Sequence, residues 1–238
     1  MWGGAFRGRL FERLLAGYHR SLFRREWAYV GEGEQPHFFD HRYGAALLAS
    51  GDAIPYSWFR AFHTTEMLRP QDHVLDIGCG DGFFDRRFLS ERCRSIDAVD
   101  VERSAIEHAT RHNPGANITY RLLDAVEEDF PSSPYDVIVW DGALGHFAHA
   151  DGERVLTKIR SALTPEGVFC GSEALGREGH DHMQFFDTLD NLRSLLATHF
   201  PHVQLRRMSY SNPGGHVTEE AYWRCATTPV RLEAVAWR

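Results

Sequence analysis

Val74-Leu75-Asp76-Ile77-Gly78-Cys79-Gly80-Asp81-Gly82 is the stretch on which the reading of this chain turns. Its apolar residues make a short buried strand, an acid sits inside the strand's end, and three glycines follow at spacing two. Glycine is what a chain needs where it must turn sharply and let a ligand touch backbone. Phe83 to Leu89 then has helical spacing, with Phe84, Phe88 and Leu89 on one side. Strand, glycine turn and helix form the first crossover of a nucleotide-binding sheet.

The spacing departs from the dinucleotide fingerprint G-x-G-x-x-G, whose helix must approach a pyrophosphate closely. Gly78, Gly80 and Gly82 give G-x-G-x-G, with Asp76 two residues before the first glycine and Asp81 inside the loop. Acids here would repel a pyrophosphate and suit a ligand with positive charge. On these residues the chain resembles the class I S-adenosylmethionine-dependent methyltransferases, whose first motif reads (D/E)-x-G-x-G-x-G. The resemblance implies that Asp76, Gly78, Cys79 and Gly80 cradle the methionine half of the cofactor, with its ammonium, carboxylate and sulfonium. The expected cofactor is therefore S-adenosyl-L-methionine, with S-adenosyl-L-homocysteine as its product. A glycine turn of purely structural use is the alternative.

A second strand is expected over 94–101, ending in Asp100 and Val101. Asp100 lies 22 residues beyond Gly78, near the ~20-residue interval of a βαβ unit before its ribose-binding carboxylate. A carboxylate accepts two hydrogen bonds side by side, which matches a pair of ribose hydroxyls. The alternative is that Asp100 caps the helix beginning near Glu102. Ile118 to Leu122 reads as a third strand, followed by Asp124 and Ala125, where the resemblance places an acidic and a small residue around the adenine amino group. A fourth strand, Tyr135 to Trp140, runs into Asp141-Gly142-Ala143-Leu144-Gly145-His146-Phe147. The resemblance sets this strand end beside the transferring methyl group.

The chain has 238 residues, enough for one well-buried α/β domain and an appendage. No apolar run approaches the ~20 residues that span a bilayer. Met1 to Arg7 lacks the long apolar core of a secretory signal. Cysteines 79, 93, 170 and 225 show no close pairing or metal-ligand spacing, and a reduced, cytoplasmic protein is expected. A net charge of −7 argues against nucleic acid as the acceptor, because phosphate binding favours a basic surface. Lys158 is the single lysine, so the two-lysine Lys-Asp-Lys-Glu pattern of ribose methylation is absent. The Asn/Asp-Pro-Pro-Tyr motif of amino-methylating nucleic-acid enzymes is also missing, since Asn212-Pro213 is followed by glycines. A small-molecule acceptor is the expectation.

The organisation expected is an amino-terminal helical lid over 1–68 and a cofactor-binding domain over 69–238. Leu10, Leu14, Tyr18 and Leu22 fall at four-residue steps, and six arginines between Arg7 and Arg25 occupy the opposite side. A basic amphipathic helix of this kind over residues 1–30 can lie on an anionic membrane, although packing on its own domain is the favoured reading. Further helices are expected over 37–49 and 56–68. Beyond the fourth strand the pattern predicts a helix over 152–163, a turn at 164–167 and a fifth strand over 168–173. A helix over 185–198 and strands over 203–208 and 221–226 follow. The fold expected is α/β, a Rossmann-like seven-stranded methyltransferase sheet with helices on both faces and its last strand antiparallel.

Methyl transfer is an in-line displacement, so positioning is the protein's main task. A hydroxyl acceptor benefits from a base with a pKa near working pH, and histidine is the natural candidate. His146 has the best address, just after the fourth strand, with a structural turn residue as its alternative. His180, His182, His37, His41 and Tyr43 are further candidates for facing the acceptor. No metal is expected, because the fifth strand ends Gly171-Ser172-Glu173-Ala174 without the Asp-Asn pair of metal-dependent catechol chemistry. Asp141 then orients the acceptor or caps the following turn. Two rivals stand beside methyl transfer to an O or N atom. One is an NAD-dependent oxidoreductase, and the other is a non-catalytic cofactor binder docking through its basic amino-terminal helix.

Overall fold

The computed structural model describes residues 56–177, 182–211 and 217–234. Its elements are α1 (Tyr56–Thr65), β1 (His73–Ile77), β2 (Ser95–Asp100), α2 (Arg103–His112), β3 (Ile118–Leu122) and β4 (Tyr135–Asp141). There follow α3 (His149–Ala162), β5 (Leu163–Leu175), α4 (Leu189–His199), β6 (His202–Ser211), β7 (Val217–Ala226) and α5 (Val230–Ala234). The seven strands form one sheet in the order β3-β2-β1-β4-β5-β7-β6. Pairings from β3 through β5 are parallel, and β7 runs antiparallel to both β5 and β6. The strand order reverses between β1 and β4, and the crevice at the carboxyl ends of such a pair is where open α/β sheets bind ligands.

The strands are apolar on both faces, as a sheet covered by helices requires. Leu75, Ile138, Trp140, Phe169 and Trp223 point to one side and pack with Val155, Leu156 and Ile159 of α3 and Leu192 and Leu196 of α4. Val74, Ile96, Val137, Val139 and Cys170 point to the other, against Met67, Leu89 and Leu232. Gly171 lets the Trp223 ring cross the sheet there, for a Cβ at this position would lie 2.2 Å from the indole and 2.3 Å from Trp140 O. Arg231 of α5 is buried against Asp72 and ties the carboxyl-terminal helix to the turn that leads into β1. No helix among the described residues is long and apolar enough to cross a membrane.

Several elements differ from their sequence-based bounds. The expected turn at 164–167 lies inside β5, where pairing jumps from Tyr135↔Leu163 to Val137↔Val168. The strand therefore absorbs Thr164-Pro165-Glu166-Gly167 as a bulge. α4 starts at Leu189 rather than 185, because Thr188 and Asn191 form a reciprocal capping box that sets its first turn. Phe186, assigned by spacing to that helix, is buried ahead of it in a bridge to Leu175. The segment after Gly82 is a short π-turn, Asp85–Leu89, followed by a 3₁₀ turn, Ser90–Arg92. α3 begins three residues before the expected 152.

The amino-terminal helices expected over 1–30 and 37–49, with His37, His41 and Tyr43, lie outside the described residues, as does the loop joining β6 to β7. α1 is described and packs on the sheet. Phe59 meets Tyr222 edge-on with ring centroids 5.0 Å apart. His63 Nε2 donates to Trp223 O at 2.7 Å. Burial pushes the His63 imidazole down to about 3, so it is neutral at physiological pH. Buried Arg224 of β7 donates to His63 O and to Glu66, each at 2.7 Å.

Candidate functional site

The loop between β1 and the π-turn lies at the sheet's switch point. The Gly78 and Cys79 N–H groups both donate to Val99 O of β2, at 2.8 and 3.1 Å. Gly78, Gly80 and Gly82 have φ of +74°, +56° and +72°, a conformation that side chains with a Cβ rarely adopt. A Cβ on Gly82 would collide with the Tyr120 ring, 2.4 Å from its hydroxyl, whereas one on Gly80 would meet nothing within 4 Å. Open space above Gly80 is what a loop that receives a ligand on its backbone requires.

Asp100 stands at the end of β2 beside this loop. Its Oδ2 accepts the Gly80 N–H and its Oδ1 the Glu102 N–H, both at 2.8 Å. Burial raises its pKa, and the N–H groups of Glu102, Gly80 and Val101 hold that rise in check. Asp100 thus ties the loop to the residue ahead of α2 but does not cap that helix, whose N-cap Glu102 carries no side-chain cap bond, and each oxygen keeps a second lone pair. Val101 next to it is 64% exposed. Asp124 Oδ1 accepts the Val126 N–H at 2.8 Å, and the neighbouring Ala125 is buried with its carbonyl taking the Lys158 ammonium at 2.9 Å. Leu123 N–H donates to Asp100 O at 2.9 Å, so the 123–125 turn is tied to the end of β2.

Carboxyls crowd this edge. Asp76, Asp81 and Asp85 are all buried. Burial first, then the nearby charges of Asp85 and Asp141, push the Asp76 carboxyl far up. Asp85 shares a hydrogen bond with Asp76 and is itself pushed up to about 7, chiefly by burial. Asp141, at the end of β4, is buried and raised by that burial, with Arg60 and Ser172 as its partners. The Arg60 Nε lies 3.6 Å from Asp141 Oδ2, and its guanidinium stacks 4.9 Å from the Phe84 ring centroid. Arg60 therefore bridges α1, the glycine loop and β4.

The opposite wall is the turn after β4. Its Leu144–His146 segment is a 3₁₀ turn, held from below by Glu173 of β5, whose Oε2 accepts the Gly145 N–H at 2.7 Å and whose Oε1 accepts the Ala174 N–H at 3.0 Å. From above, Met183 and Gln184 N–H groups donate to Gly145 O at 2.8 and 3.2 Å. The His146 and His182 rings meet edge-on, 4.6 Å between centroids, and His180 lies outside the described residues. Glu173 is 1% exposed, and burial pushes its carboxyl up to about 7. The structure so gathers Asp76, Gly78, Cys79, Gly80 and Asp100 around one loop and sets Asp141 and His146 along the neighbouring strand end. Arg60, Asp85 and Glu173 belong to the same edge and were not singled out from sequence, though a charged residue inside an apolar strand or helix face is the signal that marks each. Among the described residues no three His, Cys, Asp or Glu side chains are placed to hold a metal ion.

Comparison with known proteins agrees with this geometry. Residues 74–167 match the family described as "Methyltransferase domain". An uncharacterized methyltransferase of Mycobacterium tuberculosis is 31% identical over 95 residues, 40% of this chain and 47% of that protein. Arginine-hydroxylase NDUFAF5 of Rattus norvegicus is 32% identical over 161 residues, 67% of this chain and 43% of that protein. The chain thus spans about half the length of the curated relatives it matches. Among solved structures, the N-methyltransferase NodS of Bradyrhizobium japonicum superposes with a TM-score of 0.57 at 18% identity, covering 74% of this chain and 99% of that one. Residues 74–167 thus carry a methyltransferase domain, within a sheet that has the fold of the class I S-adenosylmethionine-dependent methyltransferases.

Proposed function

We propose that this protein transfers a methyl group from S-adenosylmethionine to an O or N atom of a small-molecule acceptor. The observation that carries the reading is the loop 78–82: three left-handed glycines, open space above Gly80, and buried acids beneath. NodS has been solved in complex with S-adenosylhomocysteine. Buried carboxyls of Asp76, Asp81 and Asp85 gathered beside the loop fit a cationic ligand at this edge. In this reading Asp76 with the backbone of Gly78, Cys79 and Gly80 holds the methionine half. Asp100 and Val101 take the ribose, Asp124 and Ala125 the adenine, and Asp141 faces the reacting end.

When bound, the cofactor supplies a methyl carbon activated by its sulfonium. The chain's own work is to orient the acceptor and manage its proton. Arg60 and Ser172 fix Asp141, and Glu173 fixes the turn that presents His146. On a hydroxyl or amine acceptor, a ring nitrogen of His146 takes the proton. The localisation proposed is cytoplasmic.

Thermal unfolding with S-adenosylmethionine, S-adenosylhomocysteine and NAD tests the assignment. A specific ligand at about 100 times its Kd adds about 2.7 kcal/mol, several degrees for a chain of this size. A shift with the two adenosyl-sulfur compounds that disappears in Asp100→Ala supports the reading, and a shift with NAD alone overturns it. A protein acceptor is the second reading, because EEF1A lysine methyltransferase 4 of Mus musculus is 24% identical over 163 residues. Demethylmenaquinone methyltransferase of Symbiobacterium thermophilum, 30% identical over 125 residues, favours the first. Incubating a lysate with methyl-labelled cofactor and separating small molecules from protein distinguishes them.

A further inference from the structure

Lys158, the single lysine of the chain, has no part in the assignments above. It sits half-buried on α3, and its ammonium has three protons to donate and no lone pair to accept with. Three backbone carbonyls of one short turn accept from it: Ala125 O at 2.9 Å, Val126 O at 3.4 Å and Glu128 O. The ring of Phe130, just beyond that turn, has its centroid 5.4 Å from the same nitrogen.

The turn is held from two sides of opposite polarity. Asp124 takes its N–H groups: Oδ1 accepts from Val126 at 2.8 Å and Glu127 at 3.3 Å, and the Asp124 carbonyl accepts the Glu128 N–H at 2.9 Å. Glu128 Oε1 returns the bond by accepting the Asp124 N–H at 2.9 Å. Lys158 takes the carbonyls. A turn whose carbonyls converge, and which carries three acids in a row at Glu127, Glu128 and Asp129, repels itself unless a cation sits among those dipoles. Arg154, one helical turn before Lys158 on α3, reaches Glu127 at 3.1 Å, but both side chains are more than half exposed and such a pair holds little.

We propose that Lys158 is a positioning residue of the adenine subsite: by gathering the carbonyls of Ala125, Val126 and Glu128 onto α3 it fixes Asp124 and Ala125 where they meet the base, and so sets the preference for a base with an exocyclic amine. The inference rests on the reading that Asp124 and Ala125 take the adenine. A carboxylate held still accepts the amine of adenine and faces an oxygen in a deaminated base, which it repels. A carboxylate on a loose turn swings aside and tells the two apart poorly. The turn lies near water, so losing the ammonium frees these carbonyls to solvent and loosens the turn without opening the core.

The experiment is isothermal calorimetry of the full chain with S-adenosylhomocysteine and with S-inosylhomocysteine, which carries an oxygen in place of the adenine amine. The wild type is expected to bind the first about ten- to a hundredfold tighter, the worth of one hydrogen bond to a charged acceptor. Lys158→Met keeps a long unbranched side chain that suits a helix and removes the cation. Its affinity for S-adenosylhomocysteine is expected to fall about tenfold and the ratio between the two ligands to fall toward one. Lys158→Arg, which keeps the charge, is expected to recover part of that ratio. Arg154→Ala is the control for charge on the same helix and should change either Kd by about twofold or less. A ratio unchanged in Lys158→Met overturns the proposal, as does an equal loss in Arg154→Ala; a merely structural lysine would lower Tm and leave the ratio intact. Should the methionine chain fold poorly, wild-type protein labelled at lysine gives a single ammonium resonance. Held by three carbonyls, its protons are expected to exchange slowly enough to be seen near neutral pH, and a resonance lost to solvent exchange overturns the proposal. A wild type that binds both ligands alike overturns the adenine reading with this inference, and no binding of either overturns the cofactor reading as well.

Discussion

Glu173→Gln should stabilise the unliganded protein at alkaline pH and cost it about 1 kcal/mol at acid pH. Glu173 is 1% exposed, and its carboxyl rises from 4.5 to about 7, with burial as the largest cause and the Gly145 and Ala174 N–H groups opposing it. An acid raised in the fold keeps its proton where the unfolded chain has lost it. Stability is therefore intact below about 4.5, drains away as pH rises, and levels off above about 7. At about 1.4 kcal/mol per pH unit the full loss is about 3 kcal/mol. Glutamine removes this titration. Its one acceptor oxygen keeps the Gly145 N–H and releases the Ala174 N–H, a cost of about 1 kcal/mol.

The two effects cancel near pH 5 and leave the variant ahead by about 2 kcal/mol at pH 8, or roughly 4–8 °C in Tm for a chain of this length. Thermal melts of the two proteins across this range test it, and the other titrating groups drop out of the difference. A Tm difference that stays constant from acid to alkaline pH would refute the reasoning, since the substitution would then act through packing alone.

Gly171→Ala places a methyl group against Trp223 and the Trp140 carbonyl and is expected to cost about 1–3 kcal/mol, read as a lower urea midpoint at unchanged m. Arg231→Ala leaves Asp72 buried without its cation and should cost about 3–5 kcal/mol by the same measurement. His146→Ala is expected to lower kcat by about 10²–10⁴ on a hydroxyl acceptor, while calorimetry shows S-adenosylhomocysteine affinity unchanged. Loss of cofactor affinity in that variant would make His146 a structural turn residue.

The glycine motif announced β1 and its loop because backbone chemistry leaves few alternatives there: glycine readily takes the three left-handed positions, and a continuous apolar run fills a strand covered on both faces. The apolar runs marked the strands, while the seven-stranded order with its antiparallel end came from the resemblance to the methyltransferases. Boundaries were less legible. Thr164 to Gly167 reads as a turn and is one, yet the strand continues around it, because bulging lets a chain change direction without leaving its neighbours. Thr188 and Asn191 overrule the apolar stripe that begins at Phe186, since a capping box fixes a helix start more firmly than spacing does. Asp85 was legible in part: helical spacing sets it among Phe84, Phe88 and Leu89 on the apolar side, and the π-turn buries it there.

What unites the edge of the sheet is an excess of buried negative charge. Asp76, Asp81, Asp85 and Glu173 are buried along the carboxyl ends of β1, its loop and β5, with Asp100 and Asp141 beside them. Among the described residues Arg60, paired with Asp141, is a cation placed among them. A fold that needed only stability would fill these positions with apolar side chains, which pack as well at lower cost. Raised carboxyls on Asp85 and Glu173 instead make the unliganded domain least stable at neutral pH and above, where both are ionised. His63, lowered to about 3, opposes this between about 3 and 6.5, but one imidazole is outweighed by two acids across most of that window. A cationic ligand reverses the imbalance at the pH where it is worst. The instability of the empty site and the affinity of the filled one are then the same electrostatic term, and neutralising any one of these acids should weaken both together.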